Sequence, residues 1–511
     1  MNIFEAKDLT HSKDISCDVC IIGSGAGGSP LAAGLVEKGL NVVMLEAGSY
    51  QTAKNFRMNE AEALRNLYQE GGLRATSDLG ITILQGKSVG GSTTINWTTC
   101  FRTPEKILTL WQKRFGLFPL TSEELSPYFQ EVERRLNIRP WSEEAANANN
   151  KVLLRGCKTL GWESSVLKRN VNGCANSGYC GMGCPINAKQ GMLTTYLPEA
   201  LNGGMRLFCN TRADRVESST TRAERILASV IDPKTNRPTG VRLNIKSKVI
   251  VSACGAINGP ALFLRSGLND KNLVGKRTFI HPVVAIAAQF DEPINGFHGA
   301  PQSISSHQFI NRGADKIGFF METAPIHSIL TSSSVPTFGK DKMQFMSQLN
   351  HMSVLIAIHS DGVHPDDVGG TVSITSSGRP KIDYPISPLL KEAFREAHKT
   401  LGTLGLAAGA KRCYSLHTNP VSIEKNDDIS LFEQQKYGSL EHIIFSAHQM
   451  GGLPMGKDPN QSVVNSDLRH HSIENLFVVD GSVFPTSLGV NPSQTIYTLS
   501  LRAVNTIANL F

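Results

Sequence analysis

A chain of 511 residues has room for two to four domains and a large buried core, which excludes a short module or a peptide scaffold. Charged residues are 19% of the chain, below the roughly 25% of an average soluble protein, and the 46 glycines are more than average, so a folded and turn-rich protein is expected. The net charge of +7 is spread without a Lys/Arg block, and no nucleic-acid partner is predicted.

Ten cysteines are too few for a disulfide scaffold, and the start, MNIFEAKDLTHSKD, has neither a basic region nor an apolar one of the export type. No stretch approaches the ~18 apolar residues of a membrane span. A soluble, cytoplasmic chain with reduced thiols is therefore expected, with peripheral membrane contact left open.

In chain order, residues 17–46 read as strand, turn, helix and strand, CDVCIIG–GSGAGG–PLAAGLVEKG–NVVMLEAG. Gly23, Gly25 and Gly28 form GxGxxG directly after the strand, and Glu46 closes the next strand. Gly23 permits the tight turn, Gly25 the approach of a pyrophosphate and Gly28 the packing of helix on strand. The helix N-terminus then offers free amides to two phosphates, and Glu46 accepts from ribose hydroxyls. A glycine-rich turn without a ligand is the plainer alternative, and strand, helix, second strand and acid together argue against it.

Residues 57–75 read as helix, 80–105 as a Gly/Thr-rich loop lying against a ligand, and 120–170 as a helical cover that starts at a Thr-Ser-Glu-Glu cap. Strands and a hairpin follow from RLFCNTRADRVE to KVIVSAC. Residues 277–440 read as scattered strands (PVVAIAAQF, QFMSQL, SVLIAI, GGTVSI) with one helix near 388–406, and the chain ends in a helix with apolar residues at 496, 499, 503 and 507. Two strand ends, at Gly255 and at Asp480-Gly481, favour FAD over NAD, because an acid followed by Gly there can hold ribityl hydroxyls and phosphate.

Five blocks in order resemble the glucose-methanol-choline (GMC) oxidoreductase family over nearly the whole chain: GSGAGGSPLAAGLVEKGLNVVMLEAG, GKSVGGSTTIN, VIVSACGAINGPALFLRSG, FSAHQMGGLPMG and VVDGSVFPTSLGVNPSQTIYTLSLRA. GCANSGYCGMGCPINAKQG is similar to the long-chain alcohol oxidase branch and related bacterial dehydrogenases, whereas Gly452 and Leu453 replace the usual Thr-Cys. The resemblance implies an α/β fold, α+β overall, with a Rossmann-like FAD-binding domain (14–105, 205–276 and 441–511), a helical cover with a Cys-rich segment (106–204) and a substrate domain (277–440).

It also implies site residues. His448 matches the active-site histidine and becomes the general base for a hydroxyl proton, since imidazole titrates near neutrality; Asn491 holds the substrate oxygen. Asn491 and Pro492 would meet the flavin pyrimidine edge through their backbone. Gly86, Gly90, Gly91 and Ser92 would lie flat against the cofactor, Asn96 would bond the isoalloxazine, and the Val216 backbone would meet the adenine. His281 is read as a domain-junction residue, and His470 and His471 as solvated surface. Cys174, Cys180 and Cys184 miss the CxxC spacing of a zinc knuckle and are read as packing or local thiol pairs, without metal. The expected activity is FAD-dependent oxidation of the CH–OH group of an apolar primary or cyclic alcohol, passing electrons to oxygen, a quinone or a cytochrome subunit. A lyase or decarboxylase on the same fold and a non-catalytic flavin electron-transfer subunit are the alternatives.

Overall fold

The computed structural model describes residues 2–269, 271–313 and 315–511. Its first sheet runs in the order Ile3–Phe4, Arg206–Phe208, Val42–Leu45, Lys13–Ile22, Pro238–Ser252, Ala223–Ile231 and Thr211–Ser218, with Leu476–Val478 also paired to Pro238–Ser252. The strand Lys13–Ile22 alternates at its exposed start and is buried on both faces over Val19–Ile22, as a parallel strand between covering layers must be. Four parallel strands end level: Ile22 stands opposite Leu45 and Ser252, and Ser252 opposite Val478. The glycine turn, Glu46, the turn before Gly255, and Asp480 therefore emerge together at one edge, where open α/β sheets bind ligands. The helix Gly28–Glu37 packs there against the C-terminal helix Ser493–Ala508.

The second sheet is antiparallel in its main path, Phe319–Thr323, Met352–His359, Val283–Gln289, Arg412–Ser415 and Ser422–Glu424, and Phe445–Ser446 joins it at Val283. The helix Pro388–Ala407 covers it. Ser387 caps this helix by accepting the Leu390 N–H, Pro388 sits where its missing N–H costs nothing, and Leu390, Phe394, Ala397, Leu401 and Leu404 form its buried stripe. The segment 106–204 gathers no core of its own. Ile107, Leu108, Trp111, Leu125 and Phe129 enter the core of the first sheet, and Val152, Leu153, Leu154 and Cys157 that of the second.

Two expectations are corrected. QFMSQL, read as a strand, is the end of the helix Gly339–Ser347 and the turn after it; its straight-chain Met and Gln side chains, preceded by Lys340 and Lys342, suit a helix, and none of that helix is buried. His470 and His471 are half-buried fasteners rather than solvated surface. His470 Nδ1 accepts the N–H groups of Ser472 and Ile473, and His471 Nε2 lies 2.8 Å from the Ser462 hydroxyl. Among the described residues no helix is long and apolar enough to cross a membrane.

Behind the second sheet, the rings of His398, His417 and His442 lie 4.9 to 5.4 Å apart against Tyr437. Burial pushes these imidazoles down to about 4, 3 and 2, and that of His359 to about 4. They stay neutral in the folded chain while an unfolded chain's imidazoles bind protons below about pH 6.5, so stability is complete above that pH and is lost as pH falls toward 4. The carboxyls of Glu322 and Asp361, pushed up by burial to about 8 and about 7, act in the opposite sense and offset two of the four. The melting temperature is accordingly expected to fall between pH 6.5 and 5, by about 1.4 kcal/mol per pH unit for each unbalanced proton. His442→Phe should flatten that slope in a calorimetric pH series; an unchanged slope would remove the cluster from the account.

Candidate active site

A cleft of about 670 Å³ runs from the glycine turn to the face of the second sheet. At its first end Glu46 Oε2 accepts the N–H and hydroxyl of Ser24 at 3.1 and 2.7 Å, and Oε1 accepts the Gly48 N–H at 2.8 Å. The same Ser24 hydroxyl oxygen accepts the Gly90 N–H, clasping the two glycine segments together. Asp480 accepts from the N–H groups of Gly255 and Ser482, each at 2.8 Å. The helix Gly28–Glu37 has no side-chain cap, which leaves its first amides free for an anion. Gly23, Gly25, Glu46, Gly86, Gly91, Ser92, Asn96, Asp480, Gly481, Asn491, Pro492 and His448 all line the cleft.

Three predicted residues do not line it. Gly28 packs against the glycine turn, a Cβ there falling 1.9 Å from Gly23 O, and Gly90 turns behind the loop. Val216 is buried with its N–H given to the Ser266 hydroxyl, so its backbone is not open to a ligand. The strand shifts register between Ala213 and Arg215, and Thr211–Asp214 line the cleft instead.

The loop over the middle of the cleft is fastened by a residue the sequence reading passed over. Lys189 is buried, and its ammonium donates to the carbonyls of Thr94, Asn96 and Cys180 at 2.8, 2.7 and 2.7 Å; burial pushes it down to about 8. It thereby ties the Cys-rich segment to Asn96, whose buried Oδ1 has no partner and is available to a ligand. Cys174, Cys180 and Cys184 line a small cavity beside Lys189, and all ten cysteines are free thiols. Among the described residues no group of three or more His, Cys, Asp or Glu side chains is placed to hold a metal.

At the far end His448 and Asn491 meet, with 3.3 Å between His448 Nε2 and Asn491 Nδ2. The His448 ring faces the cleft on one side and protein on the others, and burial pushes it down to about 4. His281 is not a bystander at a domain junction. It is fully buried, its Nδ1 lies 3.2 Å from His448 Nδ1, and its Nε2 accepts the Gly489 N–H at 3.2 Å. Its backbone is left-handed, φ 47°, a strained state held by Asp361, which accepts the N–H groups of Ile280 and His281 at 2.8 and 3.0 Å and the Tyr384 hydroxyl at 2.7 Å. Trp97, Val283, Ile356, Ile358 and Phe445 make the surrounding wall largely apolar.

The length of the cleft, its free helix amides, the unpartnered Asn96 carbonyl and the paired polar groups at its far end fit a dinucleotide with a reactive ring. Comparison with known proteins agrees. The N-terminal and C-terminal family models of GMC oxidoreductases match residues 64–283 and 365–500, and the chain belongs to that family of FAD-dependent flavoproteins. It is 29% identical to the uncharacterised GMC-type oxidoreductase y4nJ of Sinorhizobium fredii over 497 residues, covering 97% of this chain and 95% of that one. It is also 29% identical to long-chain-alcohol oxidase FAO4A of Arabidopsis thaliana, over 96% of this chain and 69% of the relative. Among solved structures, pyridoxine 4-oxidase from Mesorbium loti superposes with a TM-score of 0.71 at 18% identity, over 96% of this chain and 99% of that one. Formate oxidase superposes with a TM-score of 0.72 at 15% identity, over 98% and 99%.

Proposed function

We propose that the protein oxidises the CH–OH group of an apolar primary or cyclic alcohol, and that His448 and Asn491 receive the hydroxyl. The observation that carries this is the meeting of a neutral imidazole and a carboxamide at the end of a dinucleotide cleft with an apolar wall. When bound, FAD supplies the acceptor for the hydride that leaves the carbinol carbon. His448 is neutral at pH 7 and takes the hydroxyl proton at Nε2. Asn491 holds the oxygen as charge develops on it. His281 keeps the base ring in place from behind, and Trp97, Ile356 and Phe445 exclude water from the reacting atoms.

The cofactor end is assigned to Gly23, Gly25, Glu46, Asp480 and the free amides of the helix Gly28–Glu37, with Gly86, Gly91, Ser92 and Asn96 along the ring. Electrons then pass to oxygen, a quinone or a cytochrome subunit. The relatives that act on long-chain alcohols support the substrate class, as does the apolar wall. A panel of alcohols mixed anaerobically with the FAD-loaded protein tests it. Medium- and long-chain or cyclic alcohols should bleach the flavin, with short polar alcohols at least about tenfold slower. Bleaching by none of them would refute the assignment.

A further inference from the structure

The face of the second sheet that looks toward the cleft carries a carboxyl group between two apolar side chains. Glu322 stands between Phe320 and Ala324, in register with Ile356, and is fully buried. Its Oε2 accepts the Gln302 Nε2–H at 2.6 Å, and Gln302 is itself oriented by the Thr99 hydroxyl, which donates to Gln302 Oε1 at 2.8 Å. Neither Glu322 Oε1 nor Asn491 Oδ1 has a partner within hydrogen-bond distance, although the Asn491 amide is near enough to favour the ionised form of Glu322. At the other end of the site, the Gly489 N–H points at His281 Nε2, the Nδ1 atoms of His281 and His448 face each other, and His448 Nε2 faces Asn491.

We propose that Glu322 is a positioning residue of this site: acting through the Asn491 amide, its carboxyl sets whether His448 turns a lone pair or an N–H toward the substrate hydroxyl. The proposal rests on the reading of His448 as the base.

The argument is one of matching donors to acceptors along a chain of five groups. Neutral Glu322 carries its proton on Oε1, because Oε2 is taken by Gln302. That O–H calls for the Asn491 carbonyl, which also accepts from His448 Nε2–H; His448 Nδ1 then accepts from His281 Nδ1–H, and His281 Nε2 from Gly489. Every contact is satisfied, and His448 has no lone pair at Nε2 with which to take a proton. Ionised Glu322 instead draws the NH₂ end of Asn491. The second hydrogen of that group then meets a lone pair on His448 Nε2, and His448 carries its own proton on Nδ1, donated to His281. This pattern is competent for base catalysis. Its single mismatch is His281 Nε2–H against the Gly489 N–H. Burial pushes Glu322 up to about 8, so both patterns are reachable near neutral pH.

The test is the limiting rate of anaerobic flavin reduction by a bleaching alcohol as a function of pH, in the wild type, Glu322→Gln and Glu322→Asp, each first shown to hold FAD. The wild-type rate should rise about tenfold per unit up to an apparent pKa near 8. In Glu322→Gln the limb should vanish and the rate stay low, with alcohol affinity unchanged; in Glu322→Asp a limb should return at a displaced pH. Independently of turnover, two imidazoles of ¹⁵N-histidine-labelled wild-type protein should exchange tautomer over the same range, and none in Glu322→Gln. A Glu322→Gln profile that overlays the wild type, or flat profiles in both variants, would overturn the proposal. So would histidine tautomers that do not change with pH. A wild type bleached by no alcohol would instead defeat the oxidation reading on which the proposal rests.

Discussion

Replacing His448 with Ala is expected to leave the protein yellow and to slow anaerobic bleaching by its alcohol about 100- to 10,000-fold. The ring contributes little to the fold, since it lines the cleft and its bonded contacts are to His281 and Asn491. Its loss removes the only neutral imidazole that both reaches the cleft and faces Asn491 among the described residues; His281, behind it, is fully buried. Absorbance of the purified variant measures retained FAD, and stopped-flow mixing measures the step. Rapid bleaching at the wild-type rate would remove His448 from proton transfer.

The second large effect is expected at Gly27. A Cβ placed there would fall 1.6 Å from Val479 O, the backbone just before Asp480, so the helix start and the Asp480 strand end cannot both keep their positions. Those two segments form opposite walls of the cleft. Gly27→Ala should therefore cost about 3 kcal/mol or more and yield colourless protein. Gly39→Ala is the control: nothing lies within 4 Å of its Cβ, and its left-handed φ of 83° should cost about 1 kcal/mol without loss of FAD. Absorption at purification and thermal melting read both effects. A yellow Gly27→Ala protein with unchanged melting would show that the approach of these walls is not needed.

The parts legible in the sequence were those fixed by neighbouring residues. The glycine turn, the acid closing the second strand and the capped helices depend on backbone rules that act within a few positions, and they emerged as expected. The residues passed over are joined by long-range pairing. Glu322 reaches Asn491 only because Phe319–Thr323 pairs with Met352–His359, although a lone acid in the alternating run FFMETA was the available signal. His281 owes its position to Asp361, 80 residues away, and the buried Lys189 to carbonyls nearly 100 residues earlier. Val216 failed for a local reason invisible in composition, the register shift that turns its strand away from the cleft. QFMSQL was ambiguous by periodicity alone, and its exposure, rather than any apolar face, decided for helix.

The claim on which all of this depends is that FAD lies along the cleft with its ring between the Asn96 loop and the His448–Asn491 pair. A crystal structure of the FAD-loaded protein tests it most directly. The account predicts the adenosine beside Glu46 and the ring within hydrogen-bonding reach of Asn96, facing His448 and Asn491. A ring placed elsewhere, with His448 and Asn491 facing empty solvent, would contradict it.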